Sequence, residues 1–220
     1  MHGGARLALA TLAVTTIGCS HASSKSDGDL AMGAAVQVEA EGCGQHRAAG
    51  GGSFIADQRV MTVAHVVAGS TDVDVILPDG TEKAAQVVAI DRQKDLAVLS
   101  VNASTSPLKM GTMRSGTKGS MSVWRDATQE ALPFVAVSFV DINANDIDHG
   151  GPGLRRGYQL VADVDPGDSG SVLVAGGVAV AVVFARSSTD PHRAWATDIT
   201  EGRSLLAGAT NAPVDTGACP

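Results

Sequence analysis

The sequence predicts an all-β protein built in two halves, with a short C-terminal helix. Three observations carry this. The apolar residues are mainly Val, Ala, Leu and Ile, with aromatics at only 3% of the chain, and a Val-rich core favours strands. Short apolar runs recur with turn residues between them, the pattern of a barrel or a sandwich. A polar, glycine-bearing stretch from Asn102 to Gly119, NASTSPLKMGTMRSGTKG, divides the runs into two sets.

The first set opens with AVQVEA at Ala35. SFIAD and RVMTVAHVV follow, joined around Asp57 and Gln58. VDVILPDG ends in a Pro-Asp-Gly turn, and EKAAQVVAI and DLAVLSV complete the set. The second set runs through SMSVW, PFVAVSFVDI, YQLVADV, SVLVAGGVAVAVVFA and RAWATDI. Within it, Gly176 and Gly177 separate two valine-rich arms, a hairpin signal. In DITEGRSLLAG, Asp198 and Glu201 form a capping-box pattern for a short helix that stops at Gly208.

DINANDIDHG, from Asp141 to Gly150, alternates Asp and Asn in the manner of a calcium loop. It has Asp146 and Pro152 where such a loop needs glycine and glutamate, so it reads as an exposed loop. His46 and His149 have no ligand-like partners at recognisable spacing, and no metal or other cofactor is expected.

The beginning of the chain reads as an address. Arg6 precedes an apolar run from Leu7 to Ile17, too short for a permanent span and typical of an export signal over residues 1–19. A buried N-terminal helix is the alternative, disfavoured by Thr11, Thr15 and Thr16. The polar stretch SHASSKSDGDLAMG then predicts a flexible tether over residues 20–34. The net charge of −7, with no basic cluster, argues against nucleic acid as a partner. Of the three cysteines, Cys43 and Cys219 form an even pair once Cys19 is set aside. They either close a disulfide in an oxidising compartment or remain free thiols.

Three further segments carry chemistry. TVAHV puts His65 at the end of a β-type run, DLAVL puts Asp95 before another, and VDPGDSGSVL puts Ser169 between glycines. A serine hydroxyl is a poor nucleophile until a base within hydrogen-bond reach takes its proton. An imidazole titrates in the right range for that task, and a carboxylate on its other nitrogen fixes the tautomer. Taken singly, each residue has a plain structural reading: a core histidine, a turn aspartate, a small residue in a tight bend.

Together, in the order His, Asp, Ser, these motifs resemble the trypsin/chymotrypsin superfamily of serine proteases. The resemblance covers Ala35 to Pro220. RVMTVAHVVAGS, the TGAC tail and a cysteine shortly before the histidine motif resemble, within it, the protease domain of the mycobacterial acid-resistance membrane serine proteases. The resemblance implies a chymotrypsin-like double β-barrel: a first barrel over 35–108, a connector over 109–118, and a second barrel with helix and tail over 119–220. It implies a serine endopeptidase with His65, Asp95 and Ser169 as the triad and the amides of Gly167 and Ser169 as the oxyanion hole. Asp163 falls near the base of the substrate pocket, favouring Arg or Lys, and Phe184 and Ala185 fall on its wall. Asp168 takes a structural role in the oxyanion loop, and Cys43 pairs with Cys219.

TTIGC resembles the lipobox of bacterial lipoproteins, which implies a lipid on Cys19 and a place in the cell envelope. Thr16 departs from the usual leucine and leaves simple secretion open. Contact with a membrane is expected only through that lipid, the substrate is a protein or peptide, and the chain is expected to be monomeric. The family's GDSGGP becomes Ser171-Val172 after the serine motif. That departure keeps a rival reading in view, a protease-fold binding lipoprotein without activity.

Overall fold

The computed structural model describes residues 25–43, 47–103, 105–125, 128–145, 147 and 151–220. Two closed barrels of six strands each make up the body. The first contains β1 (Ala35–Glu41), β2 (Ala48–Ala56), β3 (Arg59–Thr62), β4 (Asp72–Ile76), β5 (Glu82–Asp91) and β6 (Leu96–Val101), closed in the order β1-β2-β3-β6-β5-β4. The second contains β7 (Lys118–Arg125), β8 (Thr128–Asn145), β9 (Pro152–Val161), β10 (Val172–Ala175), β11 (Val178–Arg186) and β12 (Arg193–Asp198), closed in the order β10-β11-β12-β9-β8-β7. Their strand pairs are antiparallel.

Alternation explains the inner faces. Along β1, Val36, Val38 and Ala40 are buried while Gln37 and Glu39 are half-buried, as a period of two requires. Phe54, Met61, Leu96 and Leu99 fill the first barrel, and Phe134, Met121, Tyr158 and Leu160 fill the second. Fully burying each such side chain contributes about 1.5–3 kcal/mol, so an aliphatic core with few rings suffices. The β10–β11 hairpin turns through Gly176 and Gly177 at φ 59° and 80°, the left-handed pair that a two-residue type I′ turn demands.

The tether does not extend to residue 34. Asp27–Ala34 form a helix, α1, opened by a reciprocal capping box. The Asp29 amide donates to Ser26 Oγ and the Ser26 amide donates to Asp29 Oδ2, both at 3.1 Å. Ala31 and Ala34 are buried, and Gln129 donates to the Met32 carbonyl at 2.8 Å. The Gly176 and Gly177 amides donate to the Asp27 carboxylate at 3.1 and 2.8 Å. A composition rich in Ser and Gly concealed a cap followed by small residues able to lie flat on the second barrel. The expected export signal, Cys19 and residues 20–24 lie outside the described residues.

Three further expectations need correction. DINANDIDHG is not a loop throughout: β8 continues to Asn145, paired with β9, because the two long strands extend past the barrel rim as a ribbon. Asp146 and residues 148–150, which include His149, lie outside the described residues, as does His46. At Asp198 the carboxylate caps a 3-10 turn, Ile199–Gly202, by accepting from the Thr200 amide at 2.8 Å rather than from Glu201. The tighter turn brings the nearer amide into reach.

The helix that follows, α3 (Arg203–Gly208), and the tail return to the first barrel instead of staying on the second. Leu205 and Leu206 pack against the first core. The Val214 amide donates to the Val87 carbonyl at 2.9 Å, and Thr216 Oγ1 donates to the Ser70 carbonyl at 3.0 Å. Cys43 and Cys219 are joined in a disulfide with a Cα–Cα distance of 5.6 Å across 176 positions. Chain-entropy arguments assign such a closure about 5 kcal/mol. Among the described residues, no helix is long and apolar enough to cross a membrane.

Candidate active site

β3 ends at Thr62 and the chain turns at once into α2 (Ala64–Val67). Ala64, Val66 and Val67 are buried, which leaves His65 as the half-buried residue of that turn of helix. Asp95 lies in the turn between β5 and β6. Asp91 Oδ1 shapes that turn by accepting from the amides of Gln93 and Lys94 at 3.1 and 2.9 Å. Asp95 has φ 55°, a left-handed conformation uncommon in non-glycine residues, and its side chain is buried.

Asp95 receives His65 at two points. The His65 amide donates to Oδ1 at 2.8 Å, and His65 Nδ1 lies 2.8 Å from Oδ2. Burial is the largest single influence on this carboxyl and opposes its ionisation. The hydrogen bond and charge of His65, the charge of Arg155 and the His65 amide together outweigh burial and hold Asp95 below the ordinary carboxylate range. His65 therefore presents Nε2 as its free nitrogen.

Ser169 belongs to the turn before β10. The Asp168 amide donates to the Asp165 carbonyl and the Ser171 amide to the Asp168 carbonyl, both at 3.0 Å. Gly167 and Gly170 have φ 101° and 91°, backbone that only glycine adopts without strain. The loop meets the first barrel through the glycines of β2. The Gly51 amide donates to the Ser169 carbonyl at 2.7 Å. A Cβ on Gly50 would fall 2.6 Å from that carbonyl and 2.8 Å from Val66 Cγ2, so the serine loop lies beside the residue that follows His65. Ser169 is half-buried, and among the described residues its Oγ makes no hydrogen bond. The amides of Gly167 and Ser169 likewise donate to no partner among the described residues, and Gly167 is exposed.

A family model for a trypsin-like peptidase domain matches residues 50–182. That is more than half of the chain and includes His65, Asp95 and Ser169. The chain belongs to the trypsin-like peptidase family. It is 35% identical over 179 residues to the serine protease Rv3671c of Mycobacterium tuberculosis, covering 77% of this chain and 44% of that one. It is 41% identical over 70 residues to a probable periplasmic DegP-like serine endoprotease of Halomonas elongata, covering 31% of this chain and 15% of that one. The chain thus spans less than half the length of these curated relatives. The solved active form of the M. tuberculosis Rv3671c protease matches with a TM-score of 0.78 at 32% identity, covering 86% of each chain. An inactive form of that protease matches at 0.68 with 29% identity, covering 83% of this chain and 91% of that one.

In this trypsin-like peptidase, the partner of Asp168 is Arg125, at the end of β7. The guanidinium meets the carboxylate through Nη1 and, at 2.6 Å, through Nη2. The Asp165 amide adds a third donor at 2.7 Å. Asp168 is only 2% exposed, so these bonds fix the residue just before Ser169. Ser171 is accommodated rather than disruptive: its hydroxyl donates to the Ser122 carbonyl at 2.8 Å, opposite a residue without a side chain, Gly51.

The expected pocket base is not formed by Asp163. Its side chain is 70% exposed and pairs with His192. The Ala162 amide bonds to the His192 carbonyl at 3.0 Å, which draws the Asp163 carboxylate outward onto that ring. It borders a cavity of about 390 Å³ with Lys118, Pro133 and Phe134. Phe184 and Ala185 lie on β11 as expected and are half-buried; a β-bulge between Val183 and Ala185 aims the Phe184 ring. Beneath it the structure places Arg155, a residue the motifs did not single out. A second cleft of about 210 Å³ is lined by Glu41, Cys43, Arg47, His65, Val66 and Pro220. Among the described residues, no cluster of His, Cys, Asp or Glu is able to hold a metal ion.

Proposed function

We propose that this chain is an exported serine endopeptidase that hydrolyses peptide bonds through His65, Asp95 and Ser169. The observation that carries the reading is the two-point contact of His65 with Asp95, with the loop of Ser169 docked on the adjacent glycine strand. Ser169 Oγ attacks the scissile carbonyl as His65 Nε2 takes its proton. The same nitrogen then gives the proton to the leaving amine, and water hydrolyses the acyl-enzyme by the reverse route. Asp95 keeps the Nδ1 tautomer and stabilises the imidazolium. The Nε2–Oγ bond forms when substrate closes the site, as catalytic hydrogen bonds commonly tighten only in the complex.

The unpartnered amides of Gly167 and Ser169 are the donors for the tetrahedral oxyanion, each worth on the order of 3 kcal/mol. The substrate is a protein or peptide, which pairs in extended form with the outer end of β11 around Phe184 and Ala185. A solved HtrA-type protease AlgW, 21% identical with a TM-score of 0.69, has a tripeptide bound. The export signal over 1–19, a lipid on Cys19 and a monomeric state complete the reading.

Reaction with a fluorophosphonate probe tests it. Wild-type protein takes one probe on Ser169, and Ser169→Ala takes none. A folded wild-type protein that stays unlabelled while binding peptides supports the inactive binding lipoprotein instead.

A further inference from the structure

We propose that Arg155 is the positioning residue of the catalytic acid, reaching across from the second barrel to hold the Asp95 carboxylate against His65. This deepens the proposed function and rests on it. Arg155 comes from β9, and its side chain is 4% exposed. Among the described residues, these contacts hold the guanidinium. Nη1 lies 3.4 Å from Asp95 Oδ2, the same oxygen that faces His65 Nδ1. Nε donates to the Gln93 carbonyl at 3.1 Å, inside the turn that carries Asp95. Cζ stands 4.8 Å from the centroid of the Phe184 ring.

Burying an arginine is costly unless its donors and charge are met. The contacts among the described residues go to the triad's acid, to its turn and to the pocket-wall strand. A planar fork held at several points is oriented, unlike a flexible ammonium. Asp95 Oδ2 is thereby offered to His65 from one direction only. The Gln93 bond braces the left-handed turn at Asp95 from the opposite barrel. The acid of the triad is thus held in place by the half of the molecule that carries the nucleophile.

The test compares wild type with Arg155→Gln and Arg155→Lys on a short peptide ester. Arg155→Gln is expected to lower kcat roughly ten- to a hundredfold with KM nearly unchanged, from misplacement of the acid. The downfield Nδ1–H proton resonance of His65, which reports its bond to Asp95, is expected to broaden or vanish in the same variant. Arg155→Lys keeps a donor beside Asp95 and loses the fork, so kcat falls less and the resonance persists. Wild-type kcat and a wild-type Nδ1–H resonance in Arg155→Gln, with only a lower melting temperature, overturn the proposal.

If Arg155→Gln does not fold, Arg155→Lys decides alone, and an unchanged kcat overturns it. A wild type that fails to react with fluorophosphonate sinks the proposed function but leaves a direct readout of Arg155. The Nδ1–H resonance of His65 is still lost or broadened in Arg155→Gln if the positioning role is right. A resonance unchanged from wild type rejects it.

Discussion

The Gly51 amide donates to the Ser169 carbonyl over 2.7 Å, tying the backbone of Ser169 to the barrel that carries His65. A side chain cannot enter at that seam. A Cβ on Gly51 would fall 2.6 Å from Ser171 Oγ and 2.9 Å from the Ser171 nitrogen. Gly51→Ala is expected to destabilise the fold by about 1–3 kcal/mol and to slow probe labelling of Ser169. Adding Ser171→Gly removes the shorter contact but not the longer, so rescue is partial. Urea unfolding of the single and double variants measures both.

Asp168 has its charge met by Arg125. Arg125→Ala strands a buried carboxylate and is expected to cost about 3 kcal/mol, the lower end for a buried pair because the arginine is partly solvated. The loop bearing Gly167 and Ser169 loses its anchor, and kcat falls with stability. Arg125→Lys recovers part of both. Denaturant melts and ester turnover on the three proteins check the ordering.

Asp95→Asn keeps the shape of the acid and reverses its hydrogen-bonding sense toward His65 Nδ1. The wrong tautomer is expected to reduce kcat on the order of 10⁴-fold while the protein still folds. Acid stability responds too. Because the Asp95 pKa is lowered on folding, its contribution is fully present above the unfolded value, near 3.9, and is lost as pH falls through the lower folded value. The stability of Asp95→Asn should accordingly fall less steeply than wild type at the acid end. Thermal melts of both proteins below pH 4 would show parallel slopes if this were wrong.

His192 titrates above its ordinary value because Asp163 accepts its hydrogen bond and adds an opposing charge, with Asp190 contributing less. A raised histidine stabilises the fold fully below the unfolded value, near 6.5, and the effect is lost as pH rises through the folded value. Asp163→Asn is expected to move the His192 midpoint down in NMR titration. With Asp163 turned toward solvent, the same variant should leave any preference for Arg or Lys unchanged in a peptide-library digest.

The two barrels were legible because turn signals and valine-rich runs are local, and each strand announces itself in a few residues. His65, Asp95 and Ser169 drew notice for a related reason: each stands in a short segment that resembles a family motif, and the structure brings His65 onto Asp95 and the Ser169 loop onto β2. Arg125 and Arg155 were not. Their partners lie 43 and 60 positions away, and nothing near either arginine in the sequence announces a buried carboxylate. Helix α1 was hidden by a composition suited equally to disorder. Asp163 was misplaced because family position fixes an offset from Ser169 and not which way a strand end turns.

The ends of the described chain are exchanged. Helix α1, which precedes the first barrel, lies on the second, and the tail that follows the second is pinned to the first. A break in the peptide between Val101 and Lys118 would therefore leave two fragments still clasped, each holding an arm of the other, and covalently joined through sulfur. The halves are not separable modules. Neither would carry its full covering if expressed alone, and recovery of activity from the two pieces would require them to fold in each other's company.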